Sequence, residues 1–241
     1  MKIVVRGTNW IGDAVMTTPA LRELRRIFPA ASMTLATRSW ARGIFADADF
    51  IDEILPLDKE GNSLQTVYRQ AKMWRERKFD AAVLLTNSFE SAVLSKLGGA
   101  RRRFGYATEK RSFLLTESFV VPAWKNSRHE IYYYLNLVAG IENSLFRKTE
   151  VFDVEPRFEL AVSAERRAEA RNLLQNYELD LSRPTIALGV GSTNSLAKRW
   201  HAESYAGLND KLQEILGANV VLIGSKDESD VSGWVSAQSK V

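Results

Sequence analysis

Short apolar runs separated by longer stretches of helical periodicity restrict the fold of this chain more than any other feature. Ile3-Val4-Val5, Met33-Thr34-Leu35-Ala36, Glu53-Ile54-Leu55-Pro56-Leu57 and Asp80-Ala81-Ala82-Val83-Leu84-Leu85 have the length and composition of strands. Between them, Asp13 to Phe28 carries Ala14, Val15, Leu21, Leu24 and Ile27 at mostly helical spacing, and Pro29 closes that helix. Thr66 to Lys78 and the stretch from Leu85 to about Leu97 read as further helices. Strands alternating with helices build βαβ units around a parallel sheet, so the fold class is α/β.

The middle of the chain is less regular. Phe119-Val120-Val121 reads as a strand ended by Pro122, and His129 to Val138 as a helix whose Tyr132-Tyr133-Tyr134-Leu135 cluster is core or interface. Glu142 to Pro156 is polar, lacks periodicity and reads as a link. The strand pattern restarts at Pro184-Thr185-Ile186-Ala187-Leu188-Gly189-Val190, after a charged helix over Ala164 to Tyr177. A helix over Ala202 to Leu216, a strand over Asn219 to Ile223 and a polar helix complete it. The expected organisation is therefore two domains, 1–160 and 161–241. The second has only about two strands, too few to cover a sheet edge and an apolar face, so it is expected to be incomplete.

Composition removes several function classes. With 45% hydrophobic and 26% charged residues among 241, the chain has material for a sizeable core and is not disordered. It contains no cysteine, which excludes disulfides, Cys-ligated zinc, iron–sulfur clusters and a thiol nucleophile. The net charge of +4 suits a phosphate-bearing ligand or an anionic membrane surface and is too small to argue for nucleic acid. No apolar run has the length of a membrane span, and the first residues do not form a signal peptide, so a cytoplasmic protein is expected. His129 and His201 lack metal-ligand spacing.

Two strand–loop–helix junctions carry the chemistry. The first is Gly7-Thr8-Asn9-Trp10-Ile11-Gly12-Asp13. Backbone N–H groups at such a junction face an anion. The P-loop reading fails because Asp13 and Ala14 stand where Lys and Ser/Thr are needed, and the dinucleotide fingerprint fails because residue 9 is Asn. Asp13 has two readings. It is a first-turn acid stabilised by the helix dipole, or it is a general base at the carboxyl end of a parallel strand. A helix N-terminus lowers a carboxylate pKa, whereas desolvation by Trp10 and Ile11 would raise it. The second junction is Gly189-Val190-Gly191-Ser192-Thr193-Asn194-Ser195-Leu196-Ala197-Lys198-Arg199-Trp200. It is either a solvated polar loop or a diphosphate cradle in which Lys198 supplies a point charge. Among the basic clusters, Arg101-Arg102-Arg103 with Lys110-Arg111 flanks Phe104-Gly105-Tyr106 and is the better candidate for an anionic acceptor. Arg69, Lys72, Arg75, Arg77 and Lys78 form a second cluster on one helix.

Segments spread in order across the chain resemble a known family. They are Met1 to Met16, Thr86-Asn87-Ser88-Phe89-Glu90-Ser91-Ala92, Arg103-Phe104-Gly105-Tyr106, Gly191 to Ser195 with Ala197-Lys198-Arg199-Trp200, and Leu222-Ile223-Gly224-Ser225. The chain resembles the ADP-heptose:lipopolysaccharide heptosyltransferases of glycosyltransferase family 9, the heptosyltransferase II branch in particular. His201 departs from the proline that often follows Lys-Arg-Trp in the family.

The resemblance implies a GT-B fold, with two Rossmann-like parallel-sheet domains facing a cleft, and an inverting transfer of heptose from ADP-L-glycero-D-manno-heptose to the lipopolysaccharide inner core. It implies that residues 1–160 hold the acceptor and 161–241 the ADP-sugar, with no cofactor and no metal requirement. Carried over, Asp13 is the base, Lys198 neutralises the departing ADP, and Gly191, Ser192, Thr193 and Asn194 cradle its phosphates. Asn9, Trp10, Arg103 and Arg111 are the acceptor-binding candidates. Expected partners are the ADP-sugar, the inner-core acceptor and the inner-membrane surface, with no nucleic acid. The family continues for roughly another hundred residues that help hold the donor. Two alternatives stay open: a related transferase with another nucleotide sugar or glycan acceptor, and an inactive acceptor-binding fragment.

Overall fold

The computed structural model describes residues 1–58, 62–192 and 196–239, and its contacts divide the chain into two compact units, Met1–Ala161 and Val162–Val241. Among the described residues of the first unit, six strands form one sheet. They are β1 (Lys2–Arg6), β2 (Ser32–Thr37), β3 (Glu53–Pro56), β4 (Ala81–Leu84), β5 (Arg102–Tyr106) and β6 (Glu117–Phe119), in the order β3-β2-β1-β4-β5-β6. Every neighbouring pair is parallel, with Ile3 in register with both Met33 and Ala81. The helices are α1 (Ile11–Met16), α2 (Thr18–Ile27), α3 (Arg42–Phe45), α4 (Ser63–Arg77), α5 (Phe89–Leu97) and α6 (Glu130–Phe146).

Side chains alternate across a strand, so β1 feeds two cores. Ile3 and Val5 pack with Leu21, Leu24, Met33, Leu35 and Leu135 on the face covered by α2 and α6. Val4 packs with Leu55, Trp74, Leu84 and Ala92 on the face covered by α4 and α5. Helices on both faces explain why these strands are almost wholly apolar rather than alternating. Each fully buried Leu, Ile or Val contributes about 1.5–3 kcal/mol relative to exposure.

Four local differences from the sequence expectation have physical causes. The helix expected over Asp13 to Phe28 is two helices that meet at Thr17, because Pro19 in the first turn of α2 has no N–H to continue the ladder. Thr17 Oγ1 donates to the Ala14 carbonyl at 2.6 Å and closes α1. Arg102 and Arg103 of the Arg101-Arg102-Arg103 cluster open β5, whose first residues are polar while Phe104 and Tyr106 are buried. β6 covers Glu117–Phe119 rather than Phe119–Val121. Finally, α6 runs through Phe146, into the stretch read as a link. Its buried Glu142 accepts from Arg26 at 2.8 Å and from the Glu150 N–H at 2.7 Å, so the charge is compensated.

The second unit contains α7 (Ala164–Asn176), β7 (Thr185–Gly189), α8 (Ala202–Leu216), β8 (Asn219–Ile223) and α9 (Ser229–Gln238). β7 and β8 pair in parallel, as the α/β class requires. Val190, Ala206 and Val235 are the buried centre of its core, and α7 buries none of its residues. No helix among the described residues is long and apolar enough to cross a membrane.

Candidate active site

Strand order fixes where the first unit can hold a ligand. The chain lays β1, β2 and β3 toward one side, then returns to lay β4, β5 and β6 toward the other, so the order reverses between β1 and β4. Open parallel sheets bind ligands outside the carboxyl ends of the strands at this switch point. The loops there are 7–10 after β1 and 85–88 after β4. A Cβ on Gly7 would lie 3.1 Å from Thr37 and 3.2 Å from Leu35, tight enough that the Thr37 and Leu35 side chains would have to shift by a few tenths of an ångström. Thr8 and Thr86, one in each loop, have buried hydroxyls that meet no hydrogen-bond partner among the described residues. Orphaned hydroxyls are costly in a core and are expected where a ligand or water completes the bonding.

Asp13 is half-buried in α1, directly after the β1 loop. Its carboxyl is held above the usual aspartate value, first by burial and then by the charge of Glu130, against the opposing charge of Lys125. Trp10 and Ile11 are 60% and 63% exposed, so they are not the hydrophobic cover expected of them. Glu130 opens α6 and accepts from Lys125 Nζ at 3.2 and 3.4 Å, while the same Nζ lies 4.3 Å from the Tyr133 ring centre.

Two buried arginines hold the loops. Arg6 at the end of β1 donates to Asn9 Oδ1 at 3.0 Å and to the Gly7 carbonyl. Burial, then repulsion from Arg38, brings its pKa down to about 10 against the attraction of Glu90. Arg111 is 0% exposed. It donates to the carbonyls of Tyr106 (3.0 Å), Thr86 (2.6 Å) and Ser88 (3.1 Å) and to Ser91 Oγ (3.0 Å). Burial pushes its pKa down to about 10, against the attraction of Tyr133 and Glu109.

The acceptor-binding candidates therefore separate. Asn9 and Trp10 stand in the β1 loop at the switch point. Arg111 lies beneath the β4 loop, so its role is to shape that loop rather than to face solvent. Arg103 is near the amino end of β5 and donates to the Leu114 and Ala100 carbonyls at 2.7 Å each, so its guanidinium is committed away from the crevice. A cation cluster in sequence does not show which of its members the sheet buries.

In the second unit, Gly191 and Ser192 follow β7 and Gly224 follows β8. A Cβ on Gly191 would lie 2.0 Å from the Glu228 carboxyl carbon, so a larger residue there would require the Glu228 side chain to move. Glu228 is buried and accepts from the Ser225 N–H at 2.7 Å in a reciprocal capping box. The Ser225 N–H and hydroxyl, with Arg199, hold its pKa below the usual glutamate value against burial. Arg199 Nε also donates to the Ser192 carbonyl at 3.1 Å. Lys198 is exposed on a short 3-10 turn after the loop. Thr193 and Asn194 lie outside the described residues. Among the described residues, no group of three or more His, Asp or Glu side chains is arranged to hold a metal ion.

The residues not singled out from sequence are Arg6, Glu130, Lys125 and Glu228, and Tyr133 was named only within a cluster read as core or interface. Each lies within or beside a stretch read as an element, but only strand order brings 125–133 toward Asp13.

Comparison with known proteins identifies the family and the fold. The sequence profile described as glycosyltransferase family 9 (heptosyltransferase) matches residues 67–235. Lipopolysaccharide heptosyltransferase 2 of Escherichia coli is 29% identical over 98% of this chain and 67% of its own length. Lipooligosaccharide heptosyltransferase 2 of Haemophilus influenzae is 28% identical over 95% of this chain and 65% of its own. The solved structure of E. coli ADP-heptose LPS heptosyltransferase II superposes with a TM-score of 0.80 at 26% identity, covering 98% of this chain and 68% of that one. A glycosyltransferase family 9 structure from Veillonella parvula shares the fold with a TM-score of 0.84 at 22% identity, covering 100% of this chain and 67% of that one.

Proposed function

The chain belongs to glycosyltransferase family 9, and we propose that it carries the parts of an inverting heptosyltransferase that acts between ADP-L-glycero-D-manno-heptose and the inner core of lipopolysaccharide. The observation that carries this reading is the half-buried, pKa-raised Asp13 at the switch point of the first sheet. A carboxylate with a raised pKa is the stronger base, and a hydroxyl acceptor needs one.

In this mechanism Asp13 takes the proton of the acceptor hydroxyl as its oxygen attacks the anomeric carbon. The new glycosidic C–O bond forms on the face opposite ADP. The bond from the anomeric carbon to the diphosphate oxygen breaks, and ADP leaves with the electron pair. Lys198 neutralises that charge, aided by the backbone N–H groups of the Gly191–Asn194 loop. Asn9 and Trp10 line the acceptor side. The enzyme acts on the cytoplasmic side of the inner membrane, in peripheral contact with it.

The test is calorimetry of ADP and ADP-heptose binding to this chain and to Lys198→Ala, beside transfer assays of Asp13→Asn. Binding that does not depend on Lys198 would overturn the donor assignment, and transfer retained by Asp13→Asn would overturn the base. A panel of other nucleotide sugars separates heptose from a related donor.

A further inference from the structure

A cavity beside the first turns of α6 has no role in the mechanism above. It measures about 510 Å³, and Trp124, Arg128, Tyr132, Asn136, Asp153 and Glu155 stand in its lining. That volume lies within the range of about 300–1,000 Å³ for small-molecule sites. Local bonds fix both of its walls. In the first, the Arg128 N–H donates to the Trp124 carbonyl at 3.2 Å and brings the two side chains together. The Arg128 guanidinium then lies 5.1 Å from the Trp124 ring centre and 4.3 Å from that of Tyr132. Asn136 Nδ2 donates to the Tyr106 hydroxyl at 3.0 Å, which orients its amide. In the second wall, the Asp153 N–H donates to the Glu150 carbonyl at 3.0 Å, and the Glu150 N–H donates to Glu142 at 2.7 Å.

The charges on these walls do not meet. Among the described residues, Arg128 forms no ion pair with Asp153 or Glu155, although all three line one cavity. A guanidinium only donates hydrogen bonds and a carboxylate only accepts them. A ligand between them must therefore accept on one side and donate on the other. A hydroxyl does both. A pyranose carries several hydroxyls and also presents C–H groups to the electron-rich faces of aromatic rings. An anion would meet two carboxylates, and a cation would meet the guanidinium. We propose that this cavity binds a neutral pyranose, at a site separate from the crevice that holds Asp13. Its place gives it a use. Glu130, whose charge acts on Asp13, stands between Arg128 and Tyr132 in the chain. The cavity flanks the crevice and can hold a sugar of the acceptor other than the one that reacts. That use rests on the proposed transferase reading, whereas the site rests on its own lining.

The experiment is a saturation-transfer NMR titration of the full chain with the methyl glycosides of glucose, galactose and mannose, and with mannose 6-phosphate. It compares the wild type with Arg128→Ala and Asp153→Asn, both at exposed positions, and records a thermal melt and ADP binding for each. At least one neutral glycoside is expected to bind the wild type. Each variant is expected to weaken that binding by about tenfold, with the melt and ADP binding unchanged. No binding of any neutral glycoside, or equal binding by both variants and the wild type, overturns the proposal. Binding of mannose 6-phosphate alone also overturns it, because Arg128 would then serve an anion. Failure of ADP to bind while a glycoside binds overturns the donor reading instead and leaves this site standing.

Discussion

The Tyr133 hydroxyl donates to Asn87 Oδ1 at 3.1 Å, so α6 and the loop after β4, separated by 46 residues, share one polar contact at the switch point. The Tyr133 ring stacks on Tyr106 with centroids 4.3 Å apart, and the Tyr106 hydroxyl donates to the Tyr133 carbonyl at 2.7 Å. Burial pushes the Tyr133 phenol up to about 12, so it remains a donor at neutral pH. Tyr133→Phe keeps the stack and removes the donor. It is expected to cost about 0.5–1.5 kcal/mol in urea unfolding and to lower transfer by loosening Asn87. Unchanged stability would show that the contact contributes nothing.

Asp13→Asn preserves shape and removes the base. Transfer is expected to fall by about 10²–10⁴ with the melting temperature kept within a few degrees. Steady-state kinetics beside a thermal melt measure both.

The acid limb of the pH–rate profile follows from the charges around Asp13. The base must be ionised, so activity falls as pH drops through its raised pKa, above the ordinary value of 3.8. Glu130→Gln removes a negative neighbour, lowers that pKa and moves the limb to lower pH. Lys125→Met removes the positive neighbour and moves it to higher pH. Shifts of the same sign in both variants would contradict this assignment.

Lys198→Ala is expected to weaken ADP binding by about 1.5–3 kcal/mol, the range for a hydrogen bond to a charged group. Calorimetry reads this directly. Lys198→Arg should recover part of the loss, because the charge is kept.

Arg111→Lys retains the charge but not the fork that serves Tyr106, Thr86, Ser88 and Ser91. Unsatisfied buried carbonyls should cost about 2–3 kcal/mol, seen as a lower denaturation midpoint with an unchanged slope. A direct acceptor contact would instead weaken acceptor binding with stability intact.

Much of this molecule is written locally. Ile3-Val4-Val5 and Ala81 to Leu84 are legible as buried strands because helices on both faces require unbroken apolar runs. Gly7 and Gly191 are legible as loop glycines, and Asp13 and Lys198 as charges at strand–helix junctions. β5 was hidden because its first residues are arginines at an exposed strand end, and the end of α6 was hidden because Glu142 is paired rather than apolar.

The sequence by itself determined the α/β class and the two strand–helix junctions with their charges, Asp13 and Lys198, since each depends on neighbours within a few positions, while the roles proposed for those charges came from the family resemblance. Only the tertiary structure decided which charges act on Asp13, that Arg111 supports a loop from beneath, and that Arg103 serves the other end of its strand. Those outcomes depend on strand order and burial. Parallel pairing joins residues far apart in the chain, and desolvation in the assembled core sets the energy of each charge.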